Sequence, residues 1–413
     1  MPDGRRIKTS VVHAGREDFR RLGVHAPPLD RSTTYPLDDL ASATADLDAM
    51  AAGGPPVHSP VYGRLHTPTV ARWERAVAEL EGADDAVAFG SGMAAVTATL
   101  LAAGARDAHV VAIRPRYGGT DHLLASGLLG ARVTWTTPEK VATELASDTA
   151  LVLVETPSNP LLDLVDIAAL VELAGDVPVV VDNTFATPIL QQPLRHGAAW
   201  ALHSATKALG GHGDVIAGVV ACDAERAAAL RRVRVATGAL LDPDAAALLH
   251  RSLPTLALRV EAAQSGATEL AARLAEHPAV RWVRHPSRPG ADPQGILGRQ
   301  QAGPGSVLAF DVAGGHAAAT RVMAAVQTIT PAVSLGSTDT LIEHPAGLTH
   351  RVVDPEALVE AGITPGTLRL SVGIEDPRDL WADLEQALDQ VLASTEGASA
   401  AEREPADRPT VRA

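Results

Sequence analysis

Val179-Val180-Val181-Asp182-Asn183-Thr184, and the lysine of His203-Ser204-Ala205-Thr206-Lys207 that follows its acid 25 residues later, decide how this chain is read. Three consecutive valines make a strand apolar on both faces, as in a sheet covered by helices on each side. The acid then stands at the strand's carboxyl end, where open α/β sheets present groups to ligands. Working outward, apolar runs at 86–89, 110–113, 132–135, 151–154, 178–181 and 215–220 alternate with helical stretches, which predicts a largely parallel sheet. Pro178 fits only as a first strand residue, where its missing N–H breaks no ladder. The first helix of this region starts at Thr69, with Trp73, Val77 and Leu80 on one face.

Beyond residue 253 the texture changes. An Ala-rich helix at 256–275 leads to strands at 280–283, 306–312 and 367–372, a helix at 316–326 and a last helix at 377–393 striped by Leu380, Leu384, Leu388 and Val391. The fold class predicted is α/β: a large domain with a mostly parallel sheet at 67–253 and a smaller C-terminal α+β domain at 254–393. Residues 1–66, broken by Ala26-Pro27-Pro28 and Gly53-Gly54-Pro55-Pro56, read as an extended arm able to wrap a neighbouring subunit. Residues 394–413 are polar and read as a disordered tail.

Composition narrows the function. The 413 residues are 46% hydrophobic and 20% charged, a globular composition, and 49 acids against 35 bases give a net charge of −14. That balance argues against nucleic acid or an anionic membrane as partner and favours a small molecule. A single cysteine, Cys222, excludes an intrachain disulfide framework, and no apolar segment follows the charged 1–8, so the cytoplasm is the expected compartment. The uncharged stretch 86–105 is too rich in Gly, Ala, Ser and Thr for a membrane span. His203, His212 and Asp214 lie close in sequence but match no metal-ligand spacing, so no metal is expected.

Only three lysines exist, Lys8, Lys140 and Lys207. Lys207, beside Ser204 and Thr206 and before the glycine turn Gly210-Gly211, does not look like a solvated surface residue. Gly90-Ser91-Gly92-Met93-Ala94-Ala95 follows a strand and opens a helix, so its backbone N–H groups suit a phosphate. It also matches a dinucleotide fingerprint, but the next strand ends in Arg114 rather than an acid, which leaves an NADP-dependent oxidoreductase as an alternative. Pyridoxal phosphate fits the set better: it requires a lysine amine, an acid against the pyridine nitrogen and a cup of N–H and hydroxyl donors. Lys207, Asp182, and Gly92, Met93, Ser204 and Thr206 supply these.

Those residues, with Ser32-Thr33-Thr34-Tyr35, Tyr62-Gly63-Arg64, Tyr117-Gly118-Gly119-Thr120, Glu155-Thr156-Pro157-Ser158-Asn159-Pro160, Ser334-Leu335-Gly336, His344-Pro345-Ala346 and Leu368-Arg369-Leu370-Ser371-Val372-Gly373, make the chain resemble the Cys/Met-metabolism family of pyridoxal-phosphate enzymes. The strings occur in family order from about residue 9 to 390. The resemblance implies the fold-type I transferase architecture and a dimer of dimers. It implies that Tyr62 and Arg64 reach the cofactor phosphate of the neighbouring subunit, that Tyr117 stacks on the pyridine ring, that Asn159 touches the phenolic-oxygen side, and that Arg369 holds the substrate carboxylate with Ser334. Departures from the family pattern are Gly63, Thr67, Ala208 and Ala199, where relatives often carry Ser, Asn, Tyr and Asp. Val61 and Val333 stand where cystathionine-handling members tend to carry Glu, which favours a shorter or more apolar substrate. Methionine γ-lyases usually have Cys at the position of Gly119.

The expected chemistry is γ-elimination on a sulfur-containing L-amino acid, with Lys207, Asp182 and Tyr117 as the catalytic groups. γ-Replacement on an activated homoserine is the alternative, and a non-catalytic protein on the cofactor fold is a third reading.

Overall fold

The computed structural model describes residues 5–401. Its larger sheet contains β1 (Asp85–Phe89), β2 (His109–Ile113), β3 (Arg132–Thr136), β4 (Thr149–Glu155), β5 (Val179–Asp182), β6 (Trp200–Ser204) and β7 (Gly218–Cys222), in the order β1-β7-β6-β5-β4-β2-β3. From β6 to β3 all neighbours are parallel, while β7 runs antiparallel to both β6 and β1. Apart from the partly exposed edge strand β3, the strands are largely apolar because both faces are covered. On β2, Val110 and Ala112 join one core and Val111 and Ile113 another, as a two-residue period dictates. Trp73, on the helix Pro68–Glu81, is fully buried on one face of the sheet and Phe89 on the other. Truncating either to alanine costs about 3–5 kcal/mol by the usual large-to-small scale.

The smaller sheet contains β8 (Val280–Arg284), β9 (Val307–Val312), β10 (Thr330–Pro331), β11 (Leu341–Glu343) and β12 (Thr367–Ser371), in the order β10-β11-β12-β9-β8. All pairs except β10–β11 are antiparallel. Its covered face packs Phe310, Leu368 and Leu370 against Leu380, Leu384 and Leu388 of the last helix. The helix Leu256–Leu274 belongs to both halves: Leu256 and Val260 enter the core of the large sheet, Leu270 and Leu274 that of the small one.

Four expectations need correction. The segment 1–66 is not simply extended, because helices run over Ile7–His13, Phe19–Leu22 and Leu40–Ala51. Val11 and Ala14 pack into the large core, and the Asp39 carboxylate caps the third helix at the Ser42 N–H. β6 was not anticipated, since its apolar run ends in the polar His203-Ser204. The strand expected at 215–220 begins only at Gly218, because Ala217 is held by Thr206: its N–H donates to the Thr206 hydroxyl, which donates back to its carbonyl. The last helix spans Pro377–Ala401, so it includes 394–401 of the expected tail, while 402–413 lie outside the described residues. Among the described residues no helix is long and apolar enough to cross a membrane.

Candidate active site

A cavity of about 310 Å³ opens where the carboxyl ends of β4, β5 and β6 face the smaller sheet. Lys207, Tyr117, Asp182, Gly92, Met93, Asn159, Ser204, Thr206, Ser334 and Arg369 all line it, so ten of the twelve residues singled out from sequence meet in one place. Tyr62 and Arg64 do not. Tyr62 is exposed, and Arg64 stacks over its ring and donates from Nη1 to the Val235 carbonyl at 2.9 Å.

The sheet places the acids. Glu155 and Asp182 are register partners on the parallel pair β4–β5, so the buried carboxylate of the first and the half-buried one of the second emerge side by side. Burial, reinforced by the Asp182 charge, pushes the Glu155 carboxyl up to about 8, against the hydrogen bond that it accepts from the Tyr117 N–H at 2.6 Å. Burial also raises Asp182, while Thr184 opposes the rise by donating to Oδ1 from its hydroxyl at 2.5 Å and its N–H at 3.1 Å. A cation beside this pair is therefore favoured, and a protonated pyridine nitrogen is such a cation.

At the same cavity, against Ser204, the helix Gly92–Ala102 begins, with Ser91 as its N-cap accepting from the Ala94 N–H at 3.0 Å. The N–H groups of Gly92 and Met93 have no acceptor within their own helix and lie at its positive end. A Cβ on Gly92 would meet the Ser204 Cβ and hydroxyl at 2.9 Å, so only glycine lets the helix end approach β6 this closely. Ser204 adds a hydroxyl to this cup. Thr206 lines the cavity too, but its hydroxyl is engaged with Ala217. The chemistry of the N–H cup and of the carboxylate pair in one cavity fits the phosphate and the ring nitrogen of pyridoxal phosphate.

Lys207 donates from Nζ to the Ser334 hydroxyl at 2.7 Å. Burial first, and then the Arg369 charge, lower its ammonium to about 8, with Glu343 pulling the other way. A neutral amine is thus accessible near neutral pH. Arg369 donates from Nη2 to the Ser334 carbonyl at 2.7 Å and from Nη1 to Asn159 Oδ1 at 3.0 Å, and pairs with Glu343 at 2.9 Å. Its Nε is buried without a partner, a donor left for a carboxylate. Ser334, with φ of +92°, holds a backbone conformation that a non-glycine residue adopts only at a cost of about 1–3 kcal/mol, and Arg369 and Lys207 both bond to it there.

The Tyr117 ring lies over Gly119: a Cβ at 119 would meet its Cε1 at 2.5 Å. A side chain at 119 would therefore displace the ring. Three participants escaped the sequence reading. Glu155 carried the signal that found Asp182, an acid ending an apolar run. Thr184 and Glu343 carried none. Arg114, which the dinucleotide reading needs for a phosphate, is committed to Asp121 at 2.6 Å and stacked on Trp135, so the oxidoreductase alternative loses its anchor.

Residues 8–389 match the family model described as Cys/Met metabolism PLP-dependent enzyme. The chain is 54% identical over 389 residues to L-methionine gamma-lyase of Streptomyces avermitilis, covering 94% of this chain and 90% of that protein. It is 53% identical over 390 residues to L-methionine gamma-lyase of Brevibacterium sandarakinum, covering 94% and 98%. Among solved structures, cystathionine gamma synthase of Xanthomonas oryzae pv. oryzae in complex with aminoacrylate and cysteine superposes with a TM-score of 0.86 at 34% identity, over 94% of this chain and 99% of that one. With the lysine, the paired acids and the N–H cup assembled in one cavity, the chain belongs to the Cys/Met metabolism family of PLP-dependent enzymes.

Proposed function

We propose that this chain catalyses γ-elimination on a methionine-like L-amino acid, yielding a 2-oxo acid, ammonia and a thiol. The observation that carries the substrate choice is the wall around Ser334. Val333, Leu335 and Ile216 give the cavity an apolar lining there, and the carboxylates of Asp214 and Asp339 line only the adjoining hollow on the far side of these residues. A thioether suits that wall. The names of the relatives support the same reading.

When bound, pyridoxal phosphate supplies the electron sink that takes up charge released at the substrate Cα. The chain's own groups do the rest. Arg369 binds the α-carboxylate through a planar fork, using the unpartnered Nε. The Lys207 amine, when free, would take the proton from Cα as general base, pass it on to the bound cofactor as general acid, and so be neutral again to take one from Cβ. Asp182, positioned by Thr184, keeps the ring nitrogen protonated. Tyr117, over the cavity mouth, delivers a proton to the departing sulfur as the Cγ–S bond breaks. One water is consumed overall to release the oxo acid and ammonia.

In this reading Tyr62 and Arg64 complete the phosphate site of a neighbouring subunit, which agrees with their absence from their own chain's cavity. The enzyme then works as a homotetramer, a dimer of dimers, in the cytoplasm. A panel of methionine, cystathionine, homocysteine, cysteine and O-acyl homoserines, each with and without a thiol, tests the reading by assaying keto acid and new amino acid. Methionine should give keto acid without added thiol. Turnover confined to β-substituted substrates would rule out γ-chemistry, and a new amino acid from O-acyl homoserine in preference to keto acid from methionine would establish γ-replacement instead.

A further inference from the structure

Behind the cavity, on the side of β5 and β6 turned away from it, lies a buried polar cluster that the reaction above does not use. Glu81, the last residue of the helix Pro68–Glu81, is fully buried. Its Oε1 accepts from His203 Nε2 at 2.5 Å and from Asn183 Nδ2 at 3.1 Å. His203 immediately precedes Ser204, and Asn183 immediately follows Asp182. One carboxylate oxygen therefore ties the end of the strand bearing the acid to the end of the strand bearing the hydroxyl and leading to Lys207.

The tie extends to the third strand. Gln191 donates from Nε2 to Asn183 Oδ1 and to the Thr156 carbonyl, both at 3.0 Å, and Thr156 follows Glu155. Gln300 donates to Gln191 Oε1 at 2.9 Å. All six residues are less than a tenth exposed.

Packing does not explain an acid there. A carboxylate at a helix C-terminus opposes the helix dipole, and burying it adds a desolvation penalty. Glu81 Oε2 and His203 Nδ1 are buried without partners. With Nε2–H as the donor to Glu81, a neutral ring leaves only a lone pair at Nδ1, which costs less than an orphaned N–H. A fold seeking stability alone would fill this space with apolar side chains.

We propose that Glu81 is a positioning residue for the cofactor site: acting through His203 and Asn183, it holds Asp182 and Ser204 at the separation that the ring nitrogen and the phosphate require. This rests on the reading that Asp182 meets the ring nitrogen. Residues 0.5 Å out of place lose much of their effect on bound chemistry, so the consequence is functional as well as structural.

The test uses the holoenzyme and Glu81→Ala, Glu81→Gln and Asp182→Asn. Glu81→Ala should raise the cofactor dissociation constant about tenfold and lower kcat by a similar factor, the size expected from losing hydrogen bonds to a charged group. The pH titration of the bound cofactor's visible band should shift, while KM for the amino acid changes less than about twofold because the Arg369 clamp lies outside the cluster. Glu81→Gln keeps an Oε1 acceptor and should recover most of the loss. If Glu81→Ala does not fold, His203→Leu removes one of the two bonds, and faster amide exchange at Asn183 and Ser204 in the cofactor-free chain is the expected result. A Glu81→Ala protein, or in its place His203→Leu, that melts earlier but keeps wild-type cofactor affinity, band titration and kcat overturns the proposal. Should Asp182→Asn also leave the band unchanged, the assignment of Asp182 fails instead.

Discussion

The two walls of the cavity are built differently. On the large-sheet side, Glu155, Asp182 and Ser204 leave the ends of adjacent parallel strands, their spacing set by backbone register and braced from behind by buried side chains. On the opposite side, Arg369 sits on antiparallel β12, opposite its partner Glu343 on β11, and Ser334 comes from a loop in a strained conformation. In the proposed reading the groups that hold the cofactor stand on the first, rigid wall, and those that meet the substrate stand on the small sheet and its loop.

The sharpest way to break the comparison is Lys207→Ala, which removes the amine that belongs to both functions. Turnover should fall by at least about 10³-fold, and borohydride reduction should no longer attach the cofactor at this position. Label retained on another residue would show that the rigid wall is not where the cofactor is held. Arg369→Leu comes next and should affect the substrate wall alone. We expect kcat/KM for the amino acid to drop about 10–100-fold, chiefly through KM, with cofactor content near that of the unaltered protein. Loss of cofactor would join the walls instead of separating them.

The smallest effect is a shift in pH. The neutral Lys207 amine is the form that reacts with an aldehyde, so cofactor loading of the cofactor-free chain should accelerate as pH rises through about 8. Glu343 favours the charged ammonium, hence Glu343→Gln should move that midpoint to lower pH. A midpoint moved upward would mean that the Arg369 charge no longer reaches Lys207.

The contrast also marks what the sequence disclosed. A valine run ended by Asp182, a glycine turn opening a helix and a rare lysine are local signals that pointed to residues of the rigid wall, while Glu155, which ends a similar apolar run, was passed over. The second wall was reached through the family strings, because Arg369 on an alternating strand is indistinguishable from a surface arginine until β11 brings Glu343 beside it. The same holds for the N-terminal helices, whose few apolar residues acquire meaning only against a distant core, and for β6, whose buried histidine is intelligible only with Glu81 in view.

The helix Leu256–Leu274, about 28 Å long at 1.5 Å per residue, donates one end to each hydrophobic interior. Melting either interior exposes apolar side chains of a rod that the other still grips. The halves are thus thermodynamically yoked, and heat should dissolve them in one calorimetric transition even though their sheets share no strand.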